Sequence, residues 1–308
     1  MKIGSAYTGT SAGYLVLSAT EVGYLVNGWS GIVLGRTNAS GAGAYLYASG
    51  STWNDPVTFR SYIAVISGAV VGNGDASFTF SPVSRGEAYS GGSLSTQGQN
   101  ITYSKPLNLF NPGATYTITS NGGAVSFQNL VSNSDNAKLS VTSGNGNISV
   151  AGSISTTNFS ANTLSSMTFN AGTGTLSFGS TVNGTSIGAF DVTGTAGSIT
   201  LSSAWGGTTA LGNVSLSSSS ALTLPSITTA SGKTLSVVAS GGSSDVTLAS
   251  GKALSGGGAV TLQAGRDVVL ASGATVASAA TGDAVVLVAG RNLVNSTGSA
   301  TPISLSGG

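Results

Sequence analysis

Short runs in which every second residue is apolar recur along the chain. In DVTLAS, Val246 and Leu248 fall on one face; in DVVLAS, Val268 and Leu270 do so; in AVTLQA, Val260 and Leu262. A strand turns successive side chains to opposite faces, so such pairs predict short strands with one buried face. Clusters of Gly, Ser and Asn stand between the runs, at 144–147 (GNGN), 241–244 (GGSS) and 256–258 (GGG). These residues supply the positive-φ conformations of tight turns.

From about residue 139 the runs form two periodic series. One begins near Ser140, Ser166, Phe190, Val214, Leu235, Ala259 and Ala284, with successive starts about 21–26 residues apart. The second, offset by about seven to nine residues, begins at Asn147, Thr175, Ser198, Ala221, Asp245, Asp267 and Asn292. A sandwich or barrel of hairpins would also give two strands per repeat. It does not require each strand to resemble the one a repeat earlier. A solenoid does, because that residue lies directly beneath it at about 4.8 Å. The expected fold is therefore all-β: a single-stranded parallel β-helix (β-solenoid) of about 24 residues per coil, on the order of 12 coils and 60 Å long.

One continuous solenoid over 1–308 is expected, without a linker. Residues 1–138 are less regular and richer in aromatics, with a longer loop near 82–98 (PVSRGEAYSGGSLSTQG), and residues 139–308 form the regular coils. The N-terminus shows no clear signal-peptide pattern, and ISLSGG at the C-terminus stops in mid-pattern, so the chain reads as a fragment of a larger protein.

Composition narrows the function. Only 6% of residues are charged and the net charge is +1, with basic residues scattered from Lys2 to Arg291. That gives no footprint for nucleic acid or acidic membranes. His and Cys are both absent, which removes imidazole bases, thiol nucleophiles, zinc-type sites and disulfides. No apolar run approaches the roughly 18–20 residues of a membrane-spanning helix. No cofactor motif of the phosphate-loop, nucleophile-elbow or zinc-protease kind occurs.

The segments LSATEVGYLVNGWSGIVLGRTNASGAG, DPVTFRS, STQGQNITYSKPLNL, NGGAVSFQN, GGTTALGNVSLSSS and AGRDVVLASGA stand in this order along the chain. Their order and spacing resemble the repeat region of filamentous haemagglutinin-like exoproteins, giant β-strand-repeat adhesins of the two-partner-secretion type. The likeness covers nearly the whole chain, but the family's amino-terminal secretion domain has no counterpart in it. The resemblance implies a right-handed parallel β-helix, the hand that parallel crossovers favour, secreted or held at the bacterial cell surface. It also implies a structural shaft segment with no enzymatic activity. Its expected partners are an outer-membrane export partner and a host or neighbouring-cell surface glycan or protein. Exposed solenoid ends would favour end-to-end self-association.

Two alternatives to the shaft stay open, a carbohydrate- or calcium-binding β-helix module and a β-helical polysaccharide-cleaving enzyme. Asp245 and Asp267, 22 residues apart, head equivalent strands, and Asp283 stands near the next turn. Stacked carboxylates could hold Ca²⁺ or act as an acid pair. They could equally form solvated ion pairs with Arg266 and Arg291, and Asn292 ends the acidic series. GNGD at 72–75 weakly resembles a calcium turn but fits an ordinary β-turn. Thr115, Thr117 and Thr119 form a T-x-T run that could order water if it recurred, and no matching threonines are apparent in later coils. Asn-x-Ser/Thr sequons occur at Asn38, Asn158, Asn183, Asn213 and Asn295, as an Asn/Ser/Thr-rich chain produces by chance. The aromatics Tyr14, Tyr24, Trp29, Tyr45, Tyr47 and Trp53 could instead line a contact strip, with Trp29, Tyr45, Tyr47 and Trp53 the candidate ligand contacts, or stack inside the coils.

Overall fold

The computed structural model describes residues 1–4, 16–35, 45–82, 87–109, 112–132, 136–155, 164–184, 189–279, 284–295 and 305–306. They form a β-solenoid of about 24 residues per turn with parallel strands. Each full coil lays down three strands. In one, Leu107–Leu109 lies on the first face, Thr115–Thr119 on the second and Val125–Phe127 on the third. Each pairs in parallel with its counterpart in the next coil: Leu130–Ser132, Ala137–Thr142 and Ile148–Val150. The second face is an unbroken sheet of 11 strands, from Ser51–Trp53 to Val285–Ala289. The first face is an eight-stranded and a four-stranded sheet, linked through single bridges at Val182 and Trp205. The third face also has eight and four strands, but no bridge joins Ser198–Leu201 to Leu222–Leu224 among the described residues.

The two sequence series correspond to the second and third faces. First-face strands of the regular half, such as Ile227–Thr228, Ala253–Gly256 and Thr275–Ser278, are only two to four residues long. Each carries one large apolar residue, Ile227, Leu254 or Val276, and the buried position two residues on is Thr229, Gly256 or Ser278, so no apolar alternation stands out. Two strands, Glu87–Ser90 and Ser93–Ser95, fall within residues 82–98, where composition suggests a longer loop. Leu94 supplies the apolar contact there, 1% exposed between Val70 and Ile118. A five-residue helix, Ala19–Gly23, has no counterpart in the sequence pattern. Ser18 caps it reciprocally with Glu21 and Val22 is buried, seating the helix against Ser51–Trp53, the first strand of the second face.

Stacking turns single residues into columns. Val57, Phe78, Ile101, Val125, Ile148, Leu176 and Ile199 follow one another inside the third face. Beside them Phe59, Phe80, Tyr103 and Phe127 stack ring on ring, with centroids 4.8, 4.5 and 5.3 Å apart and planes within 15° of parallel. The spacing of the first two pairs follows the strand repeat, so the ladder itself holds the rings in contact. Farther along, Phe169, Phe178 and Trp205 meet edge to face.

The Tyr103 hydroxyl is buried with no hydrogen-bond partner among the described residues, and burial pushes its pKa far above the ordinary tyrosine value. An unpartnered buried hydroxyl costs about 1–3 kcal/mol. Tyr103→Phe keeps the ring stack and removes that cost. Urea unfolding should show the variant at least as stable as the parent, by up to about 1 kcal/mol.

Candidate functional site

Asp245 and Asp267 do stack. Asp267 pairs across the ladder with Asn292, and Asp245 precedes Val246, the partner of Val268. The Arg266 guanidinium lies between the two carboxylates. Its Nε donates to Asp245 Oδ1 at 2.7 Å, its Nη2 donates to Asp245 Oδ2, and its Nε lies 3.2 Å from Asp267 Oδ2. The hydrogen bonds and charge of Arg266 hold the Asp245 carboxyl below the usual carboxylate range. The positive charge this pair neutralises is therefore Arg266's own. Asp283 lies outside the described residues.

The remaining contacts of these carboxylates are structural. Asp245 Oδ1 accepts from the backbone N–H of Asp267 at 3.2 Å, and Asp267 Oδ1 from that of Asn292 at 3.1 Å. The same contact to the next coil recurs elsewhere. Asn100 Oδ1 accepts from Ala124 N, Asn147 Oδ1 from Thr175 N, Asp191 Oδ1 from Asn213 N and Asn213 Oδ1 from Thr234 N, all at 2.7–3.0 Å. At these strand entries a short side chain ties its coil to the next one. Asn serves as well as Asp, because the bond needs an acceptor oxygen and not a charge. The acidic pair is thus part of a ladder of Asn and Asp spacers. Among the described residues no three His, Cys, Asp or Glu gather at metal-binding distance.

In GNGD, the N–H of Ala76 donates to Asn73 O at 3.1 Å and Gln97 Nε2 to Asn73 Oδ1 at 3.1 Å. It is a β-turn tied to the next coil. Thr117 and Thr119 belong to longer columns than the sequence suggests, because serine alternates with threonine. One column runs Ser93, Thr117, Ser140, Thr168, Thr193, Ser215, Ser236, Thr261. The other runs Ser95, Thr119, Thr142, Asn170, Thr195, Ser217. Neither contains a charged residue, and together they give the second face a hydrated hydroxyl surface.

The aromatics divide. Trp53 is 2% exposed, with Nε1 donating to Ser51 Oγ, so it belongs to the core and presents no contact surface. Tyr47 is half-buried, and Tyr14 and the Tyr45 side chain lie outside the described residues. Tyr24 and Trp29 are exposed, at 74% and 57%. Asp55, 1% exposed, anchors their loop by accepting from Gly28 N and Trp29 N, both at 2.8 Å. Of the four candidate contacts, Trp29 alone is shown on the surface. Tyr24, Val26 and Val33 accompany it, each 60% exposed or more.

The sequence matches no family model, no curated protein and no solved structure. The molecule is defined at this point by its fold, a β-solenoid.

If the acidic pair is structural, an acceptor at position 267 matters and a charge does not. Asp267→Asn should unfold within about 0.5 kcal/mol of the parent, whereas Asp267→Ala should lose roughly 0.5–1.5 kcal/mol in urea titrations. The depressed Asp245 pKa also gives an acid limb. Its contribution is complete above the ordinary carboxylate pKa of about 3.9 and is lost as pH falls through the lower folded value. Asp245→Asn should flatten that limb.

Proposed function

We propose that this chain is a structural shaft segment of a large bacterial surface or secreted adhesin and carries no catalytic activity. The observation that supports this most is the unbroken 11-strand second face. Ten steps of about 4.8 Å make a straight span of roughly 50 Å. Interior columns of Val, Leu, Ile and Phe resist sliding of one coil on the next, and hydroxyl columns keep the outside wet without charge. Such a body carries load and holds whatever lies at its ends apart.

The order of the haemagglutinin-like segments supports a place at the cell surface, with export through an outer-membrane partner. Trp29 and Tyr24, held out by the loop on Asp55, offer an aromatic contact for a surface glycan or protein. Val285–Ala289 is the last second-face strand among the described residues, and its inward side chains Val285 and Leu287 are only half-buried, an edge suited to end-to-end association.

Two experiments test this reading. Antibodies raised against the chain should label intact cells of the source bacterium or its culture medium; labelling only after lysis would contradict a surface role. Incubation with acidic and neutral polysaccharides should release no products. Turnover that disappears in Asp245→Ala or Asp267→Ala would establish an enzyme instead.

A further inference from the structure

The third face contains a breach that the shaft reading does not use. Ser198–Leu201 pairs with Thr175–Phe178 on one side, but no ladder joins it to Leu222–Leu224 on the other. Leu222 N donates forward to Asp245 O at 2.8 Å, as Val125 N does to Asn147 O, so Leu222–Leu224 is laddered normally on its other side. The consequence shows at Leu201. Its column neighbours Phe178 and Leu224 are 1% and 0% exposed, while Leu201 is only half-buried. Trp205, fully buried and edge-on to Phe178, fills the interior beside the gap. A groove of about 410 Å³ opens there, within the size range of small-molecule sites, about 300–1,000 Å³.

Its chemistry is specific. Half-buried Leu201 with Ala221 and Ala249 gives the apolar surface of the groove, and Thr200 and Thr223 are exposed along its rim. Lys252, exposed, is the one charged residue lining the groove. Among the described residues it forms no salt bridge. The parted strands still come within 8 Å of each other. An intercalated strand would need about 9.6 Å, two strand spacings, so an added polypeptide strand does not fit and a ligand must lie along the groove. An apolar surface, a hydroxyl rim and a single ammonium match a sugar ring that carries a carboxylate: the ring's C–H face on Leu201 and the flanking alanines, its hydroxyls on the threonines, its carboxylate on Lys252.

We propose that this groove binds a uronic-acid segment of an acidic polysaccharide, without cleaving it. The site lies on the flank of the solenoid and does not depend on where the protein resides. The full chain should be titrated with trigalacturonate by calorimetry, with maltotriose as the neutral control. Saturable trigalacturonate binding is expected, weakened by added salt, lowered at least tenfold by Lys252→Met and retained by Lys252→Arg. Circular dichroism of both variants should match the parent, since Lys252 is a turn residue on the surface. Absence of saturable binding, unchanged binding in Lys252→Met, or equal affinity for maltotriose would overturn the proposal. Those failures would leave the shaft reading intact, whereas conversion of trigalacturonate to smaller products would contradict the shaft reading itself.

Discussion

Each coil rests on the coil before it, backbone over backbone, and the stacking tolerates almost no offset. At the corners the fit is so close that a side chain cannot enter. A Cβ on Gly146 would lie 2.1 Å from Gly123 O, and one on Gly265 would lie 2.0 Å from Gly241 O. These approaches explain much of the chain's 47 glycines, which a reading of composition alone would assign to flexibility. Between the corners, backbone ladders fix the vertical spacing at about 4.8 Å, and most inward positions then meet another apolar residue.

That constraint also decides what the polar residues do. Strand entries need an acceptor for the N–H of the next coil, and Asn147, Asp191, Asn213, Asp245 and Asp267 provide it. A carboxylate at such a position looks like half of an acid pair when read along the sequence, and in the fold it is a tie between coils. The two contact sites proposed for this chain, the anchored loop of Tyr24 and Trp29 and the groove beside Leu201, both lie where regular ladder pairing is missing.

The solenoid and two of its faces were legible in sequence because Val/Leu alternation in DVTLAS and DVVLAS repeats at coil spacing. The first face was not, since its inward positions pair one apolar residue with a small or polar one: Ile227 with Thr229, Leu254 with Gly256, Val276 with Ser278. The hydroxyl columns were hidden by Ser–Thr exchange: Thr117, Ser140 and Thr168 are one column in space, but serine and threonine follow in no fixed order along the chain. Trp29 and Trp53 lie in similar surroundings in sequence, and only the register of Ser51–Trp53 on Val70–Gly72 directs Trp53 inward. The groove had no sequence signal at all. It arises because a ladder that should have continued past Ser198–Leu201 does not.

Register-locked parallel stacking is measured most directly by distances between spin labels in the second face, and a chain without cysteine accepts engineered pairs cleanly. Thr117 and Thr193 lie three ladder steps apart, and Thr117 and Thr261 six. At about 4.8 Å per step, the backbone separations should be roughly 14 and 29 Å, each with a narrow distribution. A second distance twice the first is the predicted result. Equal distances, or distributions too broad to assign, would contradict the stacked-coil account.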